Sequence, residues 1–250
     1  MKIVVCIKQV PDTTEIRLDP VTGTLIRDGV PSIMNPDDKA GLEMALELKD
    51  QYGAHVTVIT MGPPQDDDIL REAFAMGADR AIHLSDRKFA GADTLATSNA
   101  IAGALRMLEF DLVITGRQAI DGDTAQVGPQ VAEKLGLTQI TYAEEILEVG
   151  DGKIKVKRHI DGGVETVEGP LPIVITVNGS AAPCRPRNAK LVQKYKRALG
   201  AQEKAAITKE GAILPYADLY EKYPYLNITE WSVADVNGDL KQCGLSGSPT

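Results

Sequence analysis

Five stretches of the chain are apolar and largely β-branched, on both faces rather than one. They are KIVVCIKQV at the start, HVTVITMG (His55 to Gly62), ADRAIHLS (Ala78 to Ser85), FDLVITG (Phe110 to Gly116) and the less sharply bounded LPIVITVN (Leu171 to Asn178). Apolarity on both faces marks a strand buried between helices on either side of a parallel sheet. Between the first four lie three segments with helical spacing. Asn35-Pro36 supplies an N-cap and a proline at the first helical position, Leu42, Ala45, Leu46 and Leu48 follow at helical spacing, and Gly53 stands where that helix can stop. Asp66, Asp67 and Asp68 precede ILREAFAMG and place three carboxylates at the positive end of a second helix, where they read as a solvated start. GADTLATSNAIAGALRMLE supplies the third. The alternation predicts an α/β fold with a doubly wound, mainly parallel, three-layer Rossmann-like sheet.

Two stretches break the alternation. Glu15 to Val30 reads as a hairpin around Asp19-Pro20-Val21-Thr22-Gly23. The run after Ile140, with turns at Asp151-Gly152 and Asp161-Gly162-Gly163, reads as a small antiparallel meander whose Lys153, Lys155 and Lys157 mark a wet face. From about Pro183 the periodicity gives way to prolines and short polar pieces. The chain therefore divides into an α/β domain over 1–182 and a C-terminal arm over 183–250. Tyr216, Tyr220, Tyr223, Tyr225 and Trp231 lie in this arm, and aromatics in a segment too irregular to build its own core read as anchors, for a partner in preference to the chain's own domain.

Length and composition narrow the function. A chain of 250 residues with 43% hydrophobic and 25% charged residues can bury a substantial core, and it contains no apolar run of the roughly 20 residues a membrane span needs. A formal net charge of −8 argues against nucleic acid or an anionic membrane as the partner. Cys6, Cys184 and Cys243 are scattered without a CxxC pair, which supports neither a disulfide framework nor a metal site and fits a reducing cytoplasm. His55, His83 and His159 lie far apart in strand-like sequence and form no base-and-nucleophile set, so no catalytic residue is assigned.

Candidate chemistry concentrates in TGRQAIDGDTAQVGPQVAEKLG, Thr115 to Gly136, which leaves a buried strand and enters a helix. In open α/β sheets, ligands bind beyond the carboxyl ends of the strands, where helix N-termini present unpaired N–H groups to an anion. Gly116, Gly122 and Gly128 permit close backbone approach, Gln118 and Gln126 offer donors and acceptors, and Thr124 offers a hydroxyl. Asp121 and Asp123 either accept from ribose hydroxyls or cap the helix. Neither GxGxxG nor GxxxxGK followed by Ser or Thr occurs, so the usual dinucleotide and nucleoside-triphosphate geometries are absent.

VVCIKQVPD, SIMNPDDKAGLEMALELK, MGPPQDDDILREAFAMGADRAIHL and GRQAIDGDTAQVGP, in this order and spacing, closely resemble the beta subunit of electron-transfer flavoproteins across about residues 1–182. The resemblance implies an adenine-nucleotide-binding domain in a heterodimer with an alpha subunit whose FAD serves dehydrogenases, acyl-CoA dehydrogenase among them. Ordinary members hold structural AMP in the beta subunit. Flavin-bifurcating members of anaerobes hold a second FAD there, which takes a hydride from NADH and sends one electron towards ferredoxin or flavodoxin and the other towards the alpha-subunit FAD. The DGDTAQVGP form of the loop resembles the second kind, because respiratory members carry a bulkier or acidic residue where Gly122 stands.

Carried over position by position, the resemblance places Cys6, Asn35, Met61 and Gly62 around adenosine. It places Gln118, Asp121, Gly122, Asp123, Thr124, Ala125, Gln126 and Val127 on ribose and phosphates, and Thr94 and Thr97 towards a flavin ring. Arg185, Arg187, Lys190, Lys194, Lys196 and Arg197 fall where the family docks dehydrogenases, although Leu191 here lacks the family's Leu-Pro pair. The arm resembles the C-terminal extension of the anaerobic type, which wraps around the alpha subunit.

Overall fold

The computed structural model describes residues 1–12, 31–209, 218–236 and 238–249. The hairpin expected over Glu15 to Val30 and the anchor Tyr216 lie outside the described residues. In chain order the elements are β1 (Lys2–Cys6), β2 (Gln9–Pro11), β3 (Ser32–Met34), α1 (Pro36–Tyr52), β4 (His55–Met61), α2 (Asp67–Met76), β5 (Arg80–Leu84), α3 (Thr94–Leu105), β6 (Leu112–Gly116) and α4 (Val127–Leu135). Then come β7 (Thr138–Gly150), β8 (Lys153–Ile160), β9 (Gly163–Pro170), β10 (Ile173–Val177), α5 (Ala189–Tyr195), α6 (Ala201–Lys209), α7 (Leu219–Lys222) and β11 (Thr229–Trp231).

The expected parallel sheet is present, with strand order β11-β5-β4-β1-β6-β10-β7-β8-β9. Every neighbouring pair from β11 through β7 is parallel, and β7-β8-β9 closes one end as the predicted antiparallel meander. Successive strand residues point to opposite faces, and the core divides accordingly. Ile3, Val5, Leu112, Ile114, Ile173 and Ile175 join the cluster that contains α1 and α2 residues. Val4, Cys6, Val113 and Val174 join the cluster of α3 and α4. This two-faced burial is the reason the strands read as continuous apolar runs.

Local signals act largely as read. Gly53 ends α1 in the left-handed conformation, at φ 66°. Asp151 and Gly152, both at positive φ, make the β7–β8 turn. Lys153 and Lys155 line the wet face of β8, paired with Glu168 and Glu148, while Ile154 and Val156 are buried on the other face.

Two expectations are corrected. Of the three aspartates at the start of α2 only Asp68 faces solvent. Asp66 and Asp67 are buried, and Asp67 takes hydrogen bonds from His83 Nδ1 at 2.8 Å and the Gly200 N–H at 2.7 Å. The arm also turns much of its apolar surface onto the chain's own domain. Tyr195 stacks on Phe74 with ring centroids 4.4 Å apart, and Leu226, Ile228, Val233, Val236 and Cys243 are buried. β11 extends the sheet beside β5. Of the anchors within the described residues, Tyr220, Tyr223 and Trp231 pack against the core clusters, and Tyr225 stays 40% exposed. A β-strand supplied by the arm needs only a free sheet edge, which an irregular sequence does not advertise.

Candidate functional site

The chain proceeds from β1 to β4 and β5 on one side, and returns through α3 to place β6 and β10 on the other. The strand order therefore reverses between β1 and β6, and the crevice at their carboxyl ends is where such sheets receive ligands. Cys6 closes β1 in register with Thr115, the residue before the Gly116 that closes β6.

Asp38, in the first turn of α1, fastens both lips of this crevice. Its carboxylate accepts from the Lys8 N–H and the Gly116 N–H, each at 2.9 Å. Glycine at 116 allows the approach, since a Cβ there would lie 2.3 Å from the Asp38 Oδ1. Burial pushes the Asp38 carboxyl up to about 7, against the hydrogen bonds from Asn35, Gly116 and Lys8 that favour its charge. Cys6, buried beside it, has its thiol pushed up to about 12 by burial and then by Asp38, so it serves as packing and not as a thiolate.

Asp38 makes a pH prediction possible. A carboxyl with a raised native value holds a proton that the unfolded chain has released, so its contribution to stability falls as pH rises from about 4 to about 7 and is level above that. The change Asp38→Asn is expected to remove this descent from a plot of melting temperature against pH, on top of a pH-independent offset. Parallel profiles for the two proteins would show that the carboxyl stays charged throughout.

The loop after β6 is tied down residue by residue. Asn35 has the backbone position of an N-cap, yet its side chain makes no cap bond to the α1 backbone and bonds the Asp38 carboxyl instead. Its Nδ2 donates to the Gln118 carbonyl at 2.8 Å and its Oδ1 accepts from the Ile120 N–H at 3.1 Å. Gln118 Nε2 donates to Asp123 Oδ1 at 2.8 Å. Lys8 Nζ donates to both oxygens of Asp121, at 2.7 and 2.8 Å. Thr94 at the start of α3 donates to Gln126 Oε1 at 2.8 Å. Gly128 lets α4 press on the strand ends, because a Cβ there would sit 2.7 Å from Thr115 Oγ1.

Asp123 does not cap α4, correcting one of its two readings: it bonds Gln118 instead, and α4 begins after Gln126, which makes no side-chain cap bond. The first N–H groups of α4 are thus left to face an anion. Asp123 at φ 48° and Ala125 at φ 51° both lie in the left-handed region. Non-glycine residues held there store strain of the kind concentrated at ligand sites.

The other candidates share this edge of the sheet. Met61 ends β4 and Gly62 follows it, both half-buried, with the Gly62 carbonyl 3.1 Å from His83 Nε2. Gly122 and Thr124 are exposed, and Val127 opens α4. Thr97 lies one turn along α3 from Thr94, and no bond joins it to the loop in the way Gln126 holds Thr94. Sequence reasoning missed Lys8 and Asp38. The signal for Lys8 was a lone cation just beyond the end of the first strand. A cavity of about 300 Å³ lies away from this edge, among Asn99, Arg106, Lys134, Val236 and Gln242. It sits at the C-terminal ends of α3 and α4, where helix dipoles repel a phosphate.

A site of this kind admits many nucleotide proteins, and comparison with known proteins decides among them. The family described as the electron transfer flavoprotein domain matches residues 22–211. The chain belongs to the electron transfer flavoprotein family. The electron transfer flavoprotein subunit beta of Clostridium acetobutylicum is 48% identical over the whole chain and 85% of its own length. The caffeyl-CoA reductase-Etf complex subunit CarD of Acetobacterium woodii is 45% identical over the whole chain and 85% of its own length. Protein FixA of Azorhizobium caulinodans is 44% identical over the whole chain and 82% of its own length. The chain is accordingly the beta subunit of an electron transfer flavoprotein, and its partner is an alpha subunit. No helix among the described residues is long and apolar enough to cross a membrane.

Proposed function

We propose that this electron transfer flavoprotein beta subunit is of the bifurcating type, holding a second FAD in the crevice between β1 and β6. The observation that carries the reading is the space at Gly122: a Cβ built there meets no atom within 4 Å, so the loop leaves open room at this exposed position. Two further features favour a diphosphate. The start of α4 carries no side-chain cap, and the strained turn at Asp123 and Ala125 is tied by Asn35, Lys8 and Thr94 from outside the loop as well as by Gln118 within it. Asn35, Met61 and Gly62 flank the adenosine end, and Thr94 and Thr97 face the flavin end.

A flavin in this position supplies two-electron acceptance from NADH and one-electron delivery to ferredoxin or flavodoxin and to the alpha-subunit FAD, which serves an acyl-CoA dehydrogenase. The chain itself binds, orients and keeps water from the group. The likeness to CarD, a subunit of a caffeyl-CoA reductase complex by its name, agrees with an acyl-CoA-type partner. In this reading the arm over 183–250 carries the contacts to the alpha subunit and the dehydrogenase, and the complex works in the cytoplasm.

The test is to extract the nucleotides from the purified two-subunit complex and count them by chromatography and absorbance. About two FAD and no AMP per heterodimer is the expected result. One FAD with one AMP would return the chain to an ordinary carrier subunit with a structural nucleotide.

A further inference from the structure

We propose that Ser248 is a positioning residue for the cofactor: with the short 3-10 turn over Gly244–Gly247 it forms a strap that sets the first turn of α3, and with it Thr94 and Thr97, against the flavin. The inference rests on a second FAD lying in the crevice, as proposed above. It gives the arm a part in holding the cofactor, beside its contacts to other proteins.

The argument begins with the way α3 starts. In a complete capping arrangement the N-cap side chain accepts from the third helical N–H, and the third side chain returns to accept from the N-cap N–H. Asp93 makes the first of these bonds, accepting from the Ala96 N–H at 2.9 Å. Ala96 is that third residue and has nothing to return. The missing acceptor arrives from 155 residues further along the chain, where Ser248 Oγ takes the Asp93 N–H at 2.9 Å. The same Oγ lies 2.7 Å from the Gly244 carbonyl and 3.2 Å from the Gly91 carbonyl, so the hydroxyl is used both as acceptor and as donor.

Close packing seats the strap. Gly244 stands at φ 53°, and a Cβ there would lie 2.2 Å from the Lys88 carbonyl oxygen and 2.8 Å from that of Ala90. The Leu245 N–H donates to the Ala90 carbonyl at 3.1 Å. On the facing side Gly91 stands at φ 73°, where a Cβ would come within 3.3 Å of the Leu245 Cβ. Glycine on both surfaces permits this approach. Gly91 is also the residue about which the start of α3 would pivot most readily, and the strap lies directly on it.

The opposite face of α3 meets the site. Thr94 donates to Gln126 Oε1 at 2.8 Å, and Ser98 Oγ lies 2.7 Å from Gln130 Oε1. Thr94 and Ser98 are four residues apart, as are Gln126 and Gln130, so the two bonds form successive rungs between α3 and the start of α4. The first turn of α3 is therefore held between the strap and the loop that receives the cofactor. The adenosine end is fixed from elsewhere, by Asn35 on Gln118 and Ile120 and by Lys8 on Asp121. Loosening the strap accordingly affects the flavin end and spares the adenosine diphosphate end.

Calorimetric titration of FAD and of ADP into the two-subunit complex, with the alpha-subunit FAD in place and exchangeable nucleotide dialysed away, tests this in wild type, Gly244→Val, Ser248→Ala and Ser248→Thr. Valine at 244 fits neither the clearance nor the positive φ, and its FAD affinity is expected to fall about tenfold. Ser248→Ala removes one neutral acceptor and should weaken FAD about threefold. Ser248→Thr, which keeps the hydroxyl, should restore it. ADP affinity is expected to be unchanged in all three. Equal losses for FAD and ADP would reduce the strap to a support of the fold and overturn the proposal, as would unaltered FAD affinity in Ser248→Ala. Wild-type complex that takes up ADP but no FAD would sink the second-flavin reading itself, and the inference with it.

Discussion

Replacing His83 by leucine is expected to cost about 3–5 kcal/mol, the usual penalty for removing one member of a buried ion pair and stranding the other. His83 and Asp67 are each fully buried, 2.8 Å apart. Burial opposes the charge on His83, but the hydrogen bond and charge of Asp67, with Asp66 and the Gly62 carbonyl, outweigh it and hold the imidazole above its ordinary value. Burial likewise opposes the charge on Asp67, and His83, Glu203 and the Gly200 N–H together hold it below its ordinary value.

The His83 contribution is complete below its unfolded value of about 6.5 and is lost as pH rises through the raised native one. The opposite sign applies to Asp67, whose contribution is present above about 4 and is lost only at lower pH. Calorimetry or chemical denaturation of wild type and His83→Leu at pH 6 measures the difference. The double change of His83→Leu with Asp67→Asn should recover a good part of it, because the stranded charge has gone. A single-variant loss under about 1 kcal/mol would mean that the pair is neutral in the native protein. Since Asp67 also holds Gly200, the variant should expose the arm near residue 200 to limited proteolysis before the domain unfolds.

The second large effect is at Gly122. Glutamate there is expected to leave the melting temperature almost unchanged and to remove the second FAD, taking the complex from about two FAD per heterodimer to about one. Stability is spared for two reasons: a Cβ at 122 touches nothing, and the residue is not among those at positive φ, so an L-side chain fits the backbone. Binding suffers because the new carboxylate fills the space for the diphosphate and repels it. Chromatographic counting of nucleotide beside a thermal melt separates the two quantities. Retention of both flavins would place the second one elsewhere and falsify the crevice as its site.

The parts legible in the sequence were those set by local and periodic physics. The strands of the parallel sheet showed themselves because burial on two faces leaves no polar positions, and Gly53 and Asp151-Gly152 because only certain residues tolerate φ above zero. The central place of β10, between β6 and β7, was not legible, since a strand's neighbours are chosen by long-range pairing that an apolar run does not encode. The aspartates at the start of α2 illustrate a deeper difficulty. A helix dipole accounts for all three equally well, and only the approach of His83, 16 residues on, turns Asp67 into a buried partner. Asn35 shows the converse: its position was right and its use was different, because its side chain serves the loop 118–120 and the Asp38 carboxyl and makes no cap bond to the backbone of its own helix. Lys8 went unread because a single lysine after a strand carries no pattern until Asp121 is seen across the crevice.

The strand contributed by the arm has a consequence for how the molecule is made. β5 would be a bare sheet edge without β11, and bare edges recruit other chains. The opposite edge guards itself, with Glu165 and Glu168 along β9 and Pro170 at its end. Leu84 and Thr229 are separated by about 145 residues of chain. At a synthesis rate of about 5–20 residues per second, the first edge stays open for on the order of ten seconds after it could have formed. The nascent protein is therefore most liable to aggregate during that interval, and a truncation before Thr229 makes the liability permanent.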